Sequence, residues 1–317
     1  MKHFKILFLF KIFLFCCISF SCCSFSSEVD TNPIKIVYIS DNNYVTFLRT
    51  SIRSVIANKN PETEIDIYVI GVGLSDANVN KIIKETRENV RINLIDFSKV
   101  DLDRFETKYR VTKADNAKFF LTSTFKDIDK IIYLDGDTIV LKDLSDLYNY
   151  DLGDNYIGVA DDWGTGWYDG RKERYFNNGI MLLNLKKMRE DDIENKLINC
   201  KEQDKVKRFV TQDVFNEVMQ NKAVFIPLIY DTFSPEYDND GVIEKIKSVL
   251  GKNFDLNTYP CTTDECYRDS VVVIHYCGWN NFKPWDDVDF KRESSRIWYK
   301  YVPEDFWESY YNKIYNR

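Results

Sequence analysis

The sequence predicts an α/β domain built on a largely parallel β-sheet, and three observations support that prediction. Short apolar runs of strand length alternate along the chain with segments whose apolar residues recur at helical spacing. The hydrophobic fraction, 44% of 317 residues, is large enough to fill one sizeable core. Acidic side chains directly follow an apolar run, as they do where ligands bind at the strand ends of open α/β sheets.

Each predicted strand is an apolar run, and each predicted helix repeats its apolar residues every three or four positions. The predicted strands span residues 34–40, 64–70, 91–95, 131–134, 156–160, 180–184, 223–226 and 271–275. The predicted helices span residues 44–57, 75–87, 113–125, 186–200 and 213–220. Residues 231–269 are rich in Asp, Asn, Ser, Thr and Pro with weak periodicity, and are predicted to be a variable loop region.

The first 27 residues are predicted to be a targeting segment. A basic start precedes an apolar run from Ile6 to about Cys23, which approaches the length of a bilayer span, and no sharp cleavage site follows. A membrane anchor and a cleaved signal peptide both fit this pattern. We favour retention at a membrane, with a secretory or periplasmic protein after signal cleavage as the alternative.

Charge and cysteine content limit the partners of the rest of the chain. The formal net charge of −7 supplies no general field that would attract nucleic acid, so a nucleic-acid partner is excluded. Residues 286–317 mix basic and aromatic side chains, which would either contact a membrane surface or pack back on the domain. The four cysteines beyond the leader lack the spacing of a zinc site; they permit a disulfide, for example Cys261 with Cys266, and permit free thiols equally.

Two carboxylates separated by one residue follow the apolar run 131–134. Asp135 and Asp137 can both reach one divalent ion if the turn between them is tight, and Gly136 favours such a turn. Taken alone, this triplet also fits a surface turn or a phosphatase of the haloacid dehalogenase type, in which an aspartate after a buried strand is the nucleophile. The phosphatase would also need a later lysine and an acidic Gly-Asp motif, which the sequence does not show.

A second polar group follows the apolar run 271–274. Because His3 lies in the leader, His275 is the one imidazole available to the folded part of the chain. Beyond it, Gly278 allows close approach of the backbone to a ligand, and Lys283 can hold a diphosphate. Together with the paired aspartates, this group predicts a site for a metal ion and a diphosphate.

In these motifs and their order, the chain resembles the retaining glycosyltransferases of family 8, over about residues 34–285. The resemblance rests on residues 36–44 (IVYISDNNY), 133–140 (YLDGDTIV), 176–184 (FNNGIMLLN), 212–213 (QD) and 275–285 (HYCGWNNFKPW). It implies a GT-A fold, a Rossmann-like and mostly parallel mixed sheet flanked by helices, over residues 33–285. Residues 1–27 and the tail 286–317 would lie outside that catalytic domain.

The resemblance also implies a UDP-sugar donor that binds together with Mn²⁺ or Mg²⁺. Asp135, Asp137 and His275 would hold the ion, and the histidine favours manganese. The other implied donor contacts are made by Asp41, Asn43 and Tyr44 around the uracil base, and by Lys118, Asp135, Gly278 and Lys283 around the rest of the donor.

Three further residues are implied to face the donor sugar and to take part in catalysis: Asp161, Asn177 and Gln212. Gln212 would stabilise the positively charged sugar or orient the acceptor, because the family retains anomeric configuration without an agreed carboxylate nucleophile. The implied reaction moves a hexose, with glucose and galactose expected first, to a glycan or glycolipid acceptor such as lipopolysaccharide or another surface glycan.

Two positions depart from the family pattern. Lys118 stands where many members have arginine, and a lysine cannot make the same forked contact. Thr211 stands where many members have an acid immediately before the glutamine. Either change could alter the sugar that is accepted or lower turnover. A glycosyltransferase-like protein that binds a nucleotide sugar or glycan without transferring it therefore stays open as an alternative.

Overall fold

The computed structural model describes residues 32–107, 112–163, 174–203, 210–251, 254–277, 283–286 and 290–308. In these residues a seven-stranded sheet and a three-stranded sheet are flanked by helices. The strands are β1 Ile34–Ser40, β2 Ile65–Gly71, β3 Val90–Asp96, β4 Lys130–Leu134, β5 Thr138–Val140, β6 Ile157–Asp161, β7 Phe176–Asn184, β8 Ala223–Phe225, β9 Thr232–Phe233 and β10 Val273–His275.

The helices follow the strands along the chain. They are α1 Val45–Asn58, α2 Asp76–Ile83, α3 Leu121–Thr124, α4 Ser145–Tyr148, α5 Leu185–Glu190, α6 Ile193–Glu202, α7 Val210–Met219, α8 Ser234–Asp238, α9 Val242–Leu250, α10 Asp264–Ser270 and α11 Glu293–Tyr299. A 3₁₀ segment, Lys113–Phe120, leads directly into α3.

The large sheet has the strand order β3-β2-β1-β4-β7-β6-β8. Its first four strands are parallel, and β7 runs antiparallel to both of its neighbours. The predicted α/β class with a mostly parallel mixed sheet is therefore confirmed. Alternation along the strands fills two cores: in β1, Val37 belongs to one apolar cluster, and Ile36 and Tyr38 belong to the other.

The small sheet joins distant parts of the chain beside the end of β4. The β10 strand pairs antiparallel with β5 and parallel with β9, which sets His275 opposite Thr138 and Phe233. The backbone N–H of Tyr276 also donates to the carbonyl oxygen of Asp137 at 2.9 Å. This register delivers the predicted histidine to the predicted aspartates.

Residues 231–269 differ from the sequence prediction, because they contain the helices α8 and α9 and the start of α10 instead of only loop. Val242, Ile243, Ile246 and Leu250 are buried together on one face of α9, and this spacing is the helical signal that the polar surroundings obscured. A disulfide joins Cys261 to Cys266, so the pairing offered as one alternative is present.

Two predicted helices also have a different form. The segment 113–125 is mostly 3₁₀ and is α-helical only over its last turn. The segment 186–200 is divided into α5 and α6, because Asp192 takes a left-handed conformation with φ of 53°.

The described part of the C-terminal tail packs on the domain. Trp298 on α11 is fully buried in a cluster that includes Ile139 of β5 and Ile274 of β10. Beyond α11, two acidic side chains reach back to α1, where Asp305 pairs with Arg49 at 2.7 Å and Glu304 pairs with Arg53 at 2.8 Å. The tail's buried aromatic side chains are thus used for packing.

Both arginines also contact Glu85, just beyond α2. Glu85 is 1% exposed and lies 2.9 Å from Arg49 and 2.9 Å from Arg53. Glu85 thus links the end of α2 to Arg49 and Arg53 of α1. The same two arginines link α1 to the tail.

The prediction of retention at a membrane needs correction. Among the residues that the structure describes, no helix combines the length and the apolar character needed to cross a bilayer. The run from Ile6 to Cys23, on which that prediction rested, lies outside the described residues.

We predict that Trp298→Ala destabilises the protein strongly. Because the indole is fully buried, its removal leaves a large cavity and should lower the free energy of unfolding by about 3–5 kcal/mol. Urea denaturation followed by circular dichroism measures this change. Leu256→Ala is the matched control, since Leu256 is 57% exposed and its truncation should change stability by less than about 0.5 kcal/mol. Equal stability of the Trp298 variant and the wild type would contradict the packing of α11.

Candidate metal centre

Asp135 and Asp137 lie where the chain passes from the large sheet to the small one. Asp135 follows β4, Asp137 precedes β5, and Gly136 makes the turn between them. A Cβ atom on Gly136 would lie 3.2 Å from the ring of Tyr44, so a larger residue would crowd this turn. The backbone N–H of Asp135 donates to the carbonyl oxygen of Gly179 on β7 at 2.7 Å, which fixes the end of β4.

His275 completes a group of three candidate metal ligands. Its Nε2 lies 3.7 Å from Asp135 Oδ2 and 3.7 Å from Asp137 Oδ1. One ligand atom from each residue can be chosen so that all three lie within 4.8 Å of one another. Asp135 keeps 27% of its side chain exposed, whereas His275 is almost fully buried, so the group opens on the side of Asp135.

Asp231 orients the histidine. His275 Nδ1 donates to Asp231 Oδ1 at 2.9 Å, which leaves Nε2 directed at the two aspartates. Burial would lower the pKa of His275, but the carboxylates of Asp231 and Asp137 outweigh it and raise that pKa to about 10. A metal ion held by Nε2 would take the place of a proton there.

Gly179 forms the floor of the group. A Cβ atom at this position would lie 2.2 Å from His275 Cε1 and 2.8 Å from Asp135 Oδ2, distances that no real side chain could keep. Its own N–H donates to Asn177 Oδ1 at 2.7 Å. Glycine thus permits the close approach of His275, Asp135 and Asn177 at this point. The three candidate ligands, two carboxylates and one imidazole, fit a divalent ion.

The two aspartates differ in their electrostatic surroundings. Burial raises the pKa of Asp135, although the Lys118 ammonium acts in the opposite direction. Burial also acts to raise the pKa of Asp137, but Lys283 and His275 outweigh it, and the pKa of Asp137 lies below its usual range. Lys283 contacts Asp137 Oδ2 directly, and the Tyr44 hydroxyl donates to the same oxygen at 3.2 Å.

Lys118 lies behind Asp135 and is almost fully buried. Its ammonium is 3.2 Å from Asp135 Oδ1 and 2.7 Å from Asp115 Oδ1. The Tyr133 hydroxyl donates to Asp135 Oδ1 at 2.6 Å. Burial would lower the pKa of Lys118, but Asp115 and Asp135 raise it above its ordinary value, so the ammonium stays charged.

Hydrogen bonds between side-chain amides join Asn177 on β7 to Gln212 on α7. Asn177 donates to Gln212 Oε1 at 3.0 Å, and Gln212 Nε2 donates to Asp162 Oδ2 at 3.1 Å. Asp161 is not brought to this group, because its carboxylate pairs with Arg174 at 2.8 Å. The structure thus places Asn177 and Gln212, two of the three predicted catalytic residues, in one hydrogen-bonded group. Asp161 lies outside that group.

Comparisons with known proteins show the family to which this chain belongs. The model of the family described as "Glycosyl transferase family 8" matches residues 35–289. This chain belongs to glycosyl transferase family 8. It is therefore a glycosyltransferase, and its predicted identity as an enzyme of this class is confirmed.

Individual relatives are similar over most of the chain. A putative glycosyltransferase of Haemophilus influenzae is 28% identical over 78% of this chain and 72% of its own length. The lipopolysaccharide 1,2-glucosyltransferase of Escherichia coli is 26% identical over 80% of this chain and 72% of its own length. The crystal structure of the galactosyltransferase LgtC in complex with donor and acceptor sugar analogs superposes with a TM-score of 0.70 at 28% identity, covering 87% of this chain and all of that one. The GT-A fold is thereby confirmed.

The predicted base-binding residues of this family 8 enzyme lie in the loop between β1 and α1. Asp41 Oδ1 accepts from the N–H of Asn43 at 2.9 Å, so this carboxylate also shapes its own turn. Asn42 braces the loop, since it donates to the Gly73 carbonyl at 2.7 Å and accepts from the Ser75 N–H at 2.8 Å. Asn43 is exposed and Asp41 is half-buried, which leaves both open to a ligand.

The other predicted donor contacts have different outcomes. Tyr44 is directed at Asp137 and packs edge-on against Phe47, with 4.9 Å between ring centroids. Its stacking on a base stays a prediction. Gly278 lies outside the described residues, and Lys283 lies beside Asp137.

Four residues of this centre were not predicted from the sequence: Gly179, Asp231, Asp162 and Asp115. Gly179 stands inside the quoted 176–184 motif, where a glycine within an apolar strand signals a close approach. Asp162 directly follows Asp161, and a shift of one residue along a strand moves a side chain to the opposite face of the sheet. Asp231 and Asp115 had no sequence signal, because only tertiary packing brings them to the site.

We predict that Gly179→Ala abolishes metal binding, because the new methyl group would occupy the space between His275 and Asp135. Mn²⁺ affinity measured by calorimetry should fall by at least about 100-fold, comparable to the loss of a ligand or its support. Gly153→Ala makes the same chemical change where a Cβ meets nothing within 4 Å. Its φ of 50° makes the alanine cost about 1 kcal/mol of stability, but the folded variant should bind Mn²⁺ like the wild type. Undiminished binding by the Gly179 variant would place the ion elsewhere.

Proposed function

We propose that this family 8 enzyme is a retaining, metal-dependent hexosyltransferase that moves glucose or galactose from a UDP-sugar to a glycan or glycolipid acceptor. One observation supports the proposal above all: ligand atoms of Asp135, Asp137 and His275 lie within 4.8 Å of one another, beside a glycine at which any side chain would crowd His275 and Asp135. This ligand set, of two carboxylates and one imidazole, suits Mn²⁺ or Mg²⁺, and the imidazole favours Mn²⁺.

The names of the relatives support a hexose and a surface glycan. They include a lipopolysaccharide 1,2-glucosyltransferase of Escherichia coli and a lipopolysaccharide 1,3-galactosyltransferase of Salmonella typhimurium. The galactosyltransferase LgtC was crystallised with donor and acceptor sugar analogs. We infer the same class of donor and acceptor for this chain, and the choice between epimers depends on the sugar pocket.

When bound, the ion would offset the negative charge that develops on the leaving diphosphate. Asp135, Asp137 and His275 would hold it, while Asp231 keeps His275 in the tautomer that presents Nε2. Lys283 would exchange its contact with Asp137 for one with a phosphate oxygen, as an ammonium on a flexible stem can do. The diphosphate would thus lie between Lys283 and the open side of Asp135.

We infer retention of configuration from the family, and the residues beside the candidate metal centre support it. Gln212 is held by Asn177 and Asp162 next to the metal centre, and its amide is a weak nucleophile. Asp161 is 2% exposed and paired with Arg174, so it is poorly placed to attack. We therefore infer a displacement on one face of the sugar, in which Gln212 Oε1 stabilises the developing positive charge.

The two alternatives predict different chemistry at the same residues. A phosphatase would use Asp135 as the nucleophile, yet both of its oxygens are engaged, one by Tyr133 and Lys118 and the other facing His275. A non-catalytic binder would keep the metal and UDP contacts but release no sugar.

We predict that Asp137→Ala and His275→Ala each lower Mn²⁺-stimulated turnover of UDP-sugar by roughly 100-fold or more, because each removes one ligand of the ion. The assay measures free sugar and UDP released by slow hydrolysis, with circular dichroism to confirm folding. Asp127→Ala is the control, since Asp127 is an exposed aspartate near the opposite end of β4.

Wild-type turnover by the His275 variant would show that this centre does not hold the ion. Phosphorylation of Asp135 by a phosphomonoester would instead establish the phosphatase. A wild-type protein that binds UDP with Mn²⁺ and never releases sugar would be the non-catalytic binder.

We predict that the nucleotide pocket prefers uracil. Calorimetry with UDP, GDP and ADP in the presence of Mn²⁺ should give an affinity for UDP at least about tenfold above the others, because Asp41 would accept from the uracil imide. Asp76→Asn, an exposed acid at the start of α2, serves as the control for a general charge effect. Equal or tighter binding of GDP would contradict the uracil assignment.

A further inference from the structure

One carboxylate beside the metal centre has no role in the mechanism above. Asp115, on the 3₁₀ segment, shares the Lys118 ammonium with Asp135, at 2.7 Å and 3.2 Å respectively. No more than two hydrogen-bond lengths therefore separate the two carboxylates. Asp115 keeps 22% of its side chain exposed and Asp135 keeps 27%, whereas the Lys118 side chain between them keeps 2%.

Asp115 is held in place from a second direction. The Thr211 hydroxyl donates to Asp115 Oδ2, and Thr211 in turn accepts from Asn178 Nδ2 at 3.0 Å. Thr211 is 3% exposed and its one hydroxyl proton is donated to Asp115, so it has no donor left for a ligand. The hydroxyl immediately before Gln212 in the sequence thus supports a carboxylate from another segment.

Asp115 keeps free acceptor capacity, and its side chain is partly exposed. A carboxylate has about four lone-pair sites, and Lys118 and Thr211 use one on each oxygen. The position is also suitable: Asp115 lies between Asp135, beside the expected diphosphate, and Thr211, the neighbour of Gln212. A sugar that lies between that diphosphate and Gln212 would therefore come near this carboxylate.

On the basis of the proposed function, we propose that Asp115 accepts hydrogen bonds from hydroxyl groups of the donor sugar and determines which hexose is used. Lys118 and Thr211 are positioning residues, since they fix the carboxylate and leave two of its acceptor sites open. The specificity of this chain thus comes from the 3₁₀ segment before α3, and not from the start of α7.

The test separates the sugar from the nucleotide. Asp115→Asn keeps the shape but removes the charge, and it should lower kcat/KM for hydrolysis of the better of UDP-glucose and UDP-galactose by roughly 10- to 100-fold. The ratio between the two sugars should move towards one, while the Kd of UDP with Mn²⁺ should change by less than about twofold. Retained UDP binding also shows that the variant is folded.

Two further variants sharpen the comparison. Thr211→Asp combined with Asp115→Thr exchanges two side chains that are in contact, which returns a carboxylate to the same place and should recover at least about a tenth of the lost activity. Asp103→Asn removes an exposed acid that pairs with Lys113, outside this cluster, and should match the wild type.

The proposal is overturned if Asp115→Asn weakens UDP as much as it weakens the UDP-sugar, because Asp115 would then act only on the metal centre through Lys118. An unchanged ratio between the two sugars overturns it as well. If the wild type binds no UDP with Mn²⁺, the proposed function fails and this inference fails with it. Normal UDP binding by the wild type with a parallel loss in the variant rejects the inference alone.

Discussion

The candidate active site depends on one interaction, the antiparallel pairing of β10 with β5. Asp135 and Asp137 are fixed by their own position after β4, but His275 is more than a hundred residues further along the chain and has no local reason to lie beside them. The ladder sets His275 opposite Thr138, and the bond from Tyr276 N–H to the Asp137 carbonyl extends it by one step. A shift of one residue would turn the imidazole to the other face of this small sheet. The tail packs against the same two strands through Trp298, so the apolar cluster beneath them stabilises the register on which the metal ligands rely.

Charge balance is the second constraint. The carboxylates of Asp115, Asp135, Asp137 and Asp231 lie close together, and three cationic groups lie among them: Lys118, Lys283 and His275. Without these partners, such a concentration of buried negative charge would be strongly destabilising. All three cations lie beside a carboxylate that would also hold a metal ion: Lys118 contacts Asp135, Lys283 contacts Asp137, and His275 faces both. The alternation of charges lets the site form before any ligand arrives and keeps its acidic groups in position.

Much of this architecture could be predicted from the sequence, because the relevant signals are local. Apolar runs gave the strands, and the Asp-x-Asp turn and the lone histidine identified the metal centre by their position after such runs. The sequence does not indicate whether Asp161 or Asp162 lies beside Gln212, since a bulge between Val159 and Asp161 interrupts the alternation of side chains in β6. Helix α9 was hidden within a polar stretch, although its apolar spacing was present. Asp231 and Asp115 reach the site only through tertiary contacts, and no local pattern distinguishes them from ordinary polar residues on a loop or a 3₁₀ segment.

The ion pairs between α1 and the tail have a consequence for the response of the protein to ionic strength. Arg49 and Glu85 are 7% and 1% exposed, whereas Glu304, which pairs with Arg53, is 86% exposed. Dissolved salt screens exposed pairs far more than buried ones, so the same rise in salt loosens the outer contact and leaves the inner one almost intact. Residues 304 and 305 would therefore loosen before the buried pair between Arg49 and Glu85 does. Because α1 begins directly after Tyr44, a firmly held α1 also keeps the loop between β1 and α1 in place beside the candidate metal centre.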